Sequence, residues 1–268
     1  MNNTSVFDKD LNPVLEVADN SDLETLVDYL KTKFSENLTT DDSYKNHFPN
    51  HSEYADIIAK EMREMGGNSF ANVYRGEGPS YHEIVCDVAD KMKVPYNKNK
   101  SIEDVENSIL EAILVTAFEH MSEKEKGNMV NEMGGKVQTD LTSISPAVLI
   151  GIFRSGGFYS YQLTLIIANQ VARAVLGRGL QLATNAALVR WASIFTGPIG
   201  WAISGVWTAI DVSGPSYKVT VPCVVHVAML RKKLNSISCE SCGTVLPDAT
   251  INFCPECGNS LETNTALS

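Results

Sequence analysis

Four cysteines near the C-terminus carry the clearest chemistry in this chain, in the turns Cys239-Glu240-Ser241-Cys242-Gly243 and Cys254-Pro255-Glu256-Cys257-Gly258. With eleven residues between Cys242 and Cys254, each CxxCG turn can form a knuckle that aims two thiolates at one ion. The glycine frees the backbone to fold N–H groups back toward sulfur. Four thiolates leave no open coordination position, so the spacing predicts a structural Zn2+ site and not a catalytic one. A redox dithiol would need only one pair; two matched pairs favour metal. The residues between, Thr244 to Phe253, suit a short β-hairpin. This ribbon has too few apolar residues to fold alone, so metal binding should supply its folding energy. It holds no Lys or Arg, which argues against nucleic acid and for an adaptor surface or a cap on a larger domain.

The other reactive residue types are less organised. Cys86 and Cys223 stand alone in apolar contexts and read as buried, inert thiols, a usage that fits a reducing compartment. The glycine-rich block from Gly66 to Tyr81 holds Arg75, Glu77 and Tyr81. Its glycines could let backbone N–H groups approach an anion, but no strand precedes it and no GxxxxGK[ST] is present. The favoured reading is therefore loop ordering, with Arg75 tying turns together through carbonyl groups. Glu61, Glu64, Glu123 and Glu125 are expected on solvated helix faces, His47 and His51 straddle Pro49, and His226 reads as a hydrogen-bonded core histidine. No metalloprotease helix, nucleophile elbow or Rossmann fingerprint appears, so no catalytic residue is nominated and an enzyme is not the expectation.

The elements that must position these groups are helical. Residues 1–20 read as a flexible N-terminus. Ser21 and Glu24 form a capping box ahead of Leu23, Leu26, Val27 and Leu30, predicting a helix over 22–34, followed by a polar loop over 35–50. Further helices are expected over 53–65 behind Ser52, from Ser80 with Glu83, from Ser101 with Asp104, from Ser122 with Glu125, and from Ser145-Pro146. Charge divides the chain. Residues 1–140 carry 27 acids and 14 bases, whereas residues 141–238 carry eight bases against Asp211 alone, within a formal net charge of −10. The expected organisation is an acidic helical domain over 21–140, a basic apolar helical region over 141–235 packed on it, a zinc ribbon over 236–260 and a flexible tail over 261–268.

The basic region raises a membrane question. Trp191 to Ile210 is uncharged, and a run of about 20 such residues is long enough to span a bilayer. Small residues recur every four positions, as in Thr164, Ala168 and Ala172, in Gly179, Ala183 and Ala187, and in Ala192, Thr196, Gly200, Ser204 and Thr208, which lets helices pack closely inside lipid or inside a tight soluble core. Gly197-Pro198 breaks a single span, and Arg173, Arg178 and Arg190 interrupt the preceding helices, where they could face anionic headgroups or a protein partner. These features favour a packed helical hairpin. After the Gly214-Pro215 turn, Pro222 reads as the start of a last helix with Thr220 near its cap, Cys223 to Leu230 is apolar on all faces, and Arg231-Lys232-Lys233 suits the dipole at its end.

Two blocks together resemble the YaaW-like bacterial family, whose N-terminal part is grouped with the ubiquinol–cytochrome c chaperone domain. The first runs from Gly66-Gly67-Asn68-Ser69 through Arg75-Gly76-Glu77-Gly78 and Tyr81 to Asp87-Val88. The second runs from Gly197-Pro198-Ile199-Gly200 through Ser213-Gly214-Pro215-Ser216-Tyr217 to Leu230-Arg231. The resemblance covers about residues 20–233 and implies an α-helical module that holds a hydrophobic client. It supplies no reaction and no catalytic residues, and smaller members of the family end near Leu230-Arg231, so the cysteine-rich tail is an addition. The sequence as a whole predicts a mainly α protein: a helical bundle, a tightly packed Ala/Gly-rich helical hairpin region and a small β-hairpin zinc ribbon. It reads as a cytoplasmic, non-enzymatic interaction protein acting at or near the inner face of a membrane. The alternative is a soluble chaperone-like assembly adaptor whose apolar segment is ordinary core.

Overall fold

The computed structural model describes residues 7–66, 78–132, 145–180, 197–200, 202, 203, 205, 217–246 and 251–261, leaving aside the side chains of 33–37 and 130–132. In chain order its helices are α1 (Asn12–Glu16), α2 (Asn20–Thr40), α3 (Asp42–His47), a 3-10 turn (His51–Tyr54), α4 (Ala55–Gly66), α5 (Tyr81–Lys91), α6 (Ile102–Glu119), α7 (Glu123–Glu132), α8 (Pro146–Arg154), α9 (Gly157–Leu176) and α10 (Tyr217–Leu234). The protein is mainly helical, and no strand longer than a single bridge occurs among the described residues.

Local signals start the central helices where expected. Ser80 accepts from the Glu83 amide at 3.2 Å to open α5, and Ser101 accepts from Asp104 at 3.2 Å to open α6. At α7 the capping box closes both ways, with Glu125 N–H on Ser122 Oγ and Ser122 N–H on Glu125 Oε2 at 2.7 Å.

The N-terminal boundaries differ from expectation. Residues 8–16, expected to be flexible, form a turn and helix α1 because Leu11, Val14 and Leu15 are buried and Asp8 is tied to Asn12 at 2.8 Å. Helix α2 begins at Asn20, so Ser21 lies inside it, and it runs on to Thr40 because Leu38 extends the apolar stripe of Leu26, Val27 and Leu30 into the core. Part of the supposed loop is helix α3, capped by Asp41 on the Ser43 amide at 2.8 Å. Ser52 caps nothing; it sits in the 3-10 turn that buries His51 and Tyr54.

Helix α10 is enclosed along most of its length, with Val219 to Leu230 all buried. It packs chiefly on α9 and also meets α2, α4, α5 and α6. The predicted start at Pro222 is corrected: the described helix already includes Tyr217 and carries Pro222 in its interior, where the proline has no N–H to give the carbonyl four residues earlier and the ladder lacks that one bond. The expected stripe Thr164, Ala168 and Ala172 is buried on α9. Gly197-Pro198-Ile199-Gly200 is helical, with Ile199 buried, but most of 191–210, including its three tryptophans, lies outside the described residues, as do Ala183 and Ala187. Among the described residues no helix is long and apolar enough to cross a membrane.

Candidate metal centre and the polar core behind it

The two cysteine turns fold as copies of one another displaced by fifteen positions, Cys239 onto Cys254 and Gly243 onto Gly258. Each is closed by a single antiparallel bridge, Ser238 with Val245 and Phe253 with Ser260. In each, the glycine amide donates to the first cysteine's carbonyl, at 2.8 Å for Gly243 and 3.0 Å for Gly258. The expected donation toward sulfur is thus a carbonyl bond at these amides. The left-handed φ of +70° at Gly243 and +72° at Gly258 explains why glycine follows each CxxC. The hairpin expected between the knuckles falls partly on residues 247–250, outside the described residues.

All four sulfurs lie within 4.8 Å of one another. The Cys239 and Cys257 sulfurs are 3.7 Å apart and those of Cys242 and Cys254 3.6 Å apart. A metal–sulfur bond of about 2.3 Å in a tetrahedron sets its edges at roughly 3.8 Å, so this donor set fits a closed four-coordinate ion. Hydrogen bonding to the Thr244 side chain and then to its amide lowers the Cys242 thiol, while, against the pull of the Asn259 amide, desolvation and the other three sulfurs raise that of Cys257, so the clustered thiols compete for their protons. Leu246 and Leu261 pack on Cys239 and Cys254, while Val245 belongs to the main core, so the first knuckle is seated on the helical body.

Immediately before the ribbon, the basic end of α10 does more than complement a helix dipole. Arg231 Nε and Nη2 donate to the Glu106 carboxylate at 2.9 and 3.3 Å, and Nη2 also reaches the Asp10 carbonyl at 2.6 Å. Tyr81 donates its hydroxyl to Glu106 at 2.9 Å, and its amide donates to Asp8 at 2.8 Å. Burial pushes the Tyr81 phenol well above its ordinary range, so it stays a donor, and burial pushes Glu106 up against the pull of Arg231. Lys233 bridges Asp19 at 2.6 Å and Asp22 at 2.8 Å, and Lys232 lies 4.6 Å over the Phe153 ring. His226 holds the Asp22 carbonyl at 3.0 Å and is pushed down to about 4 by burial, as a neutral core histidine should be.

The glycine-rich block is explained in part by this core. Arg63, which the sequence reading passed over, ties the loop by donating to the Gly78 carbonyl at 3.0 Å and the Pro79 carbonyl at 2.9 Å. A Cβ on Gly78 would lie 2.4 Å from the Arg63 carbonyl carbon, so backbone meets backbone there. Tyr81 is fully buried. Arg75, Glu77 and Arg190 lie outside the described residues. Arg173 and Arg178 are exposed at the end of α9, and Arg178 pairs with Asp28 of α2, which draws at least that arginine onto the protein itself. Glu61, expected on a solvated face, is buried and raised to about 7 by that burial. Cys223 is buried as expected and Cys86 half-buried, its sulfur 3.7 Å from His82 Nδ1 and its thiol raised by burial.

A mainly helical body with a four-thiol appendage is thus the architecture, and the comparisons agree on its kinship. The model of the ubiquinol-cytochrome C chaperone family matches residues 50–226, and the chain belongs to that family. It is 44% identical over 235 residues to a UPF0174 protein of Helicobacter pylori, covering 85% of this chain and 92% of the relative. A second UPF0174 protein of Helicobacter pylori is 36% identical, with 75% of this chain covering 99% of it. The UPF0174 protein YaaW of Escherichia coli is 32% identical, over 77% of this chain and 84% of that one. No solved structure matches the chain.

Proposed function

We propose that this protein is a non-enzymatic, chaperone-like assembly factor: one helical body formed by 21–140 and 141–235 engages a hydrophobic client, and a Zn2+ ribbon over 236–260 presents a second, partner-binding surface. The observation that carries the reading is the chaperone-family match across residues 50–226. The enclosure of α9 and α10 supports treating these two apolar helices as core, and so favours the adaptor alternative over a membrane effector. Zinc is the ion of choice because four thiolates at tetrahedral spacing suit a soft, redox-inert metal.

Two measurements test this. Mass-spectrometric metal analysis of the purified chain should return one zinc per chain, falling below a tenth of that in Cys239→Ser/Cys254→Ser. The chain should also suppress aggregation of a chemically unfolded reporter enzyme at near-equimolar ratio. Absence of suppression at tenfold excess would remove the assembly reading; a different stoichiometric metal would replace the zinc assignment.

A further inference from the structure

We propose that the groove where the α1–α2 turn, the end of α10 and the first knuckle meet is a docking site for a basic, aliphatic peptide segment of another protein. The proposal rests on the assembly reading above and gives its partner a chemistry. The groove encloses about 200 Å³ between Val17, Ala18 and Leu234 on the helical side and Ser238 and Gly243 on the ribbon side, with the Asp19–Lys233–Asp22 ion cluster also in its lining. That is below the roughly 300–1,000 Å³ of small-molecule sites, and it suits an anchoring side chain.

Apolar surface gathers at this junction. Val17 is 61% exposed and Leu234 45%, and Ile237, next in the chain to Ser238, is 50% exposed. The wet edge is acidic. Lys233 answers both Asp19 and Asp22, which leaves one carboxylate charge over, and the Asp19 side chain remains 65% exposed. Glu16, next in sequence to the groove residue Val17, and Glu240, in the same cysteine turn as the groove residue Gly243, are exposed, and the ribbon sequence supplies no cation. An aliphatic anchor flanked by Lys or Arg complements this surface, whereas nucleic acid meets repulsion and a second copy brings another net charge of −10. One wall belongs to the first knuckle, so the thiol cluster that closes the knuckle also shapes the groove.

The test uses the full zinc-loaded chain and a fluorescein-labelled ten-residue peptide of alternating Leu and Lys, read by fluorescence anisotropy beside a peptide with Glu in place of Lys. Saturable binding of the Lys peptide is expected, weakened at least tenfold by Asp19→Lys and by Val17→Ser and unchanged by Val148→Ser on α8, which is not part of the groove lining. Equal binding to all three variants, equal binding of the Glu peptide, or no binding overturns the proposal. So does a dimer in sedimentation velocity that Asp19→Lys dissolves, which would assign the groove to a second copy. Aggregation suppression, run on the same samples, separates the two claims: suppression without peptide binding sinks the groove alone, and loss of suppression in the wild-type chain sinks the assembly reading.

Discussion

Replacing Arg231 with Met should cost about 3–5 kcal/mol, the range for stripping one partner from a buried ion pair. The magnitude follows from what is left behind. Glu106 is only 2% exposed and would keep a single donor, Tyr81, in place of the three hydrogen bonds it now accepts. The Asp10 carbonyl would lose its partner too. With a urea slope of about 3 kcal/mol per molar, the unfolding midpoint should fall by roughly 1–1.7 M in far-UV circular dichroism. The pH dependence has a fixed sign. Without the guanidinium, the Glu106 carboxyl is raised further above its ordinary range, so the cost of an uncompensated charge is present at pH 8 and fades as the pH falls and the carboxyl takes a proton. The variant should therefore be less impaired at pH 5 than at pH 8. The double change Arg231→Met/Glu106→Gln removes both charges while keeping an acceptor for the Tyr81 hydroxyl, and should recover most of the loss at both pH values. A single-variant loss below about 1 kcal/mol, or a double variant no better than the single, would refute the reasoning.

Two further stability outcomes follow from packing and burial. Gly78→Ala should destabilise by about 1–3 kcal/mol because the new methyl meets the Arg63 backbone, while Gly151→Ala, with nothing within 4 Å of its Cβ, should gain up to about 1 kcal/mol as a helix-interior replacement; thermal melts of the pair check both. Glu61, raised to about 7, is a group whose favourable protonated state is lost between pH 4.5 and 7 as the pH rises. Glu61→Gln should accordingly match the wild type near pH 4.5 and exceed it by about 1–2 kcal/mol at pH 8, discounted for partial solvation, in urea titrations at the two pH values.

The signals that the sequence carried faithfully were the local ones. A CxxCG turn or a Ser-x-x-Glu cap is decided within four or five residues by backbone reach and hydrogen-bond geometry, so the thiol cluster and the starts of α5, α6 and α7 could be read before any tertiary structure. Apolarity on all faces likewise marked Cys223 to Leu230 as enclosed. Charged residues misled where they shared a buried face. Glu61 stands between Ile58 and Met62, and Glu106 between Val105 and Ile109, so both lie on apolar stripes whose positions hinted at burial. A carboxylate tolerates such a place only when distant chain supplies compensation, and the Arg231 that answers Glu106 is 125 residues away. The same holds for Arg63, whose loop partners come from Gly78 and Pro79, and for Leu38, which carried α2 through a stretch that composition marked as loop.

What the sequence determined by itself was therefore the chemistry of the cysteine turns, the helical class and the apolar core helix, since each depends on short-range spacing. The tertiary structure alone decided that the basic end of α10 would clamp Glu106, Asp19 and Asp22, and that the first knuckle would sit beside Val17 and Leu234. Pairings between remote charges are fixed by how helices pack, and no local period encodes them.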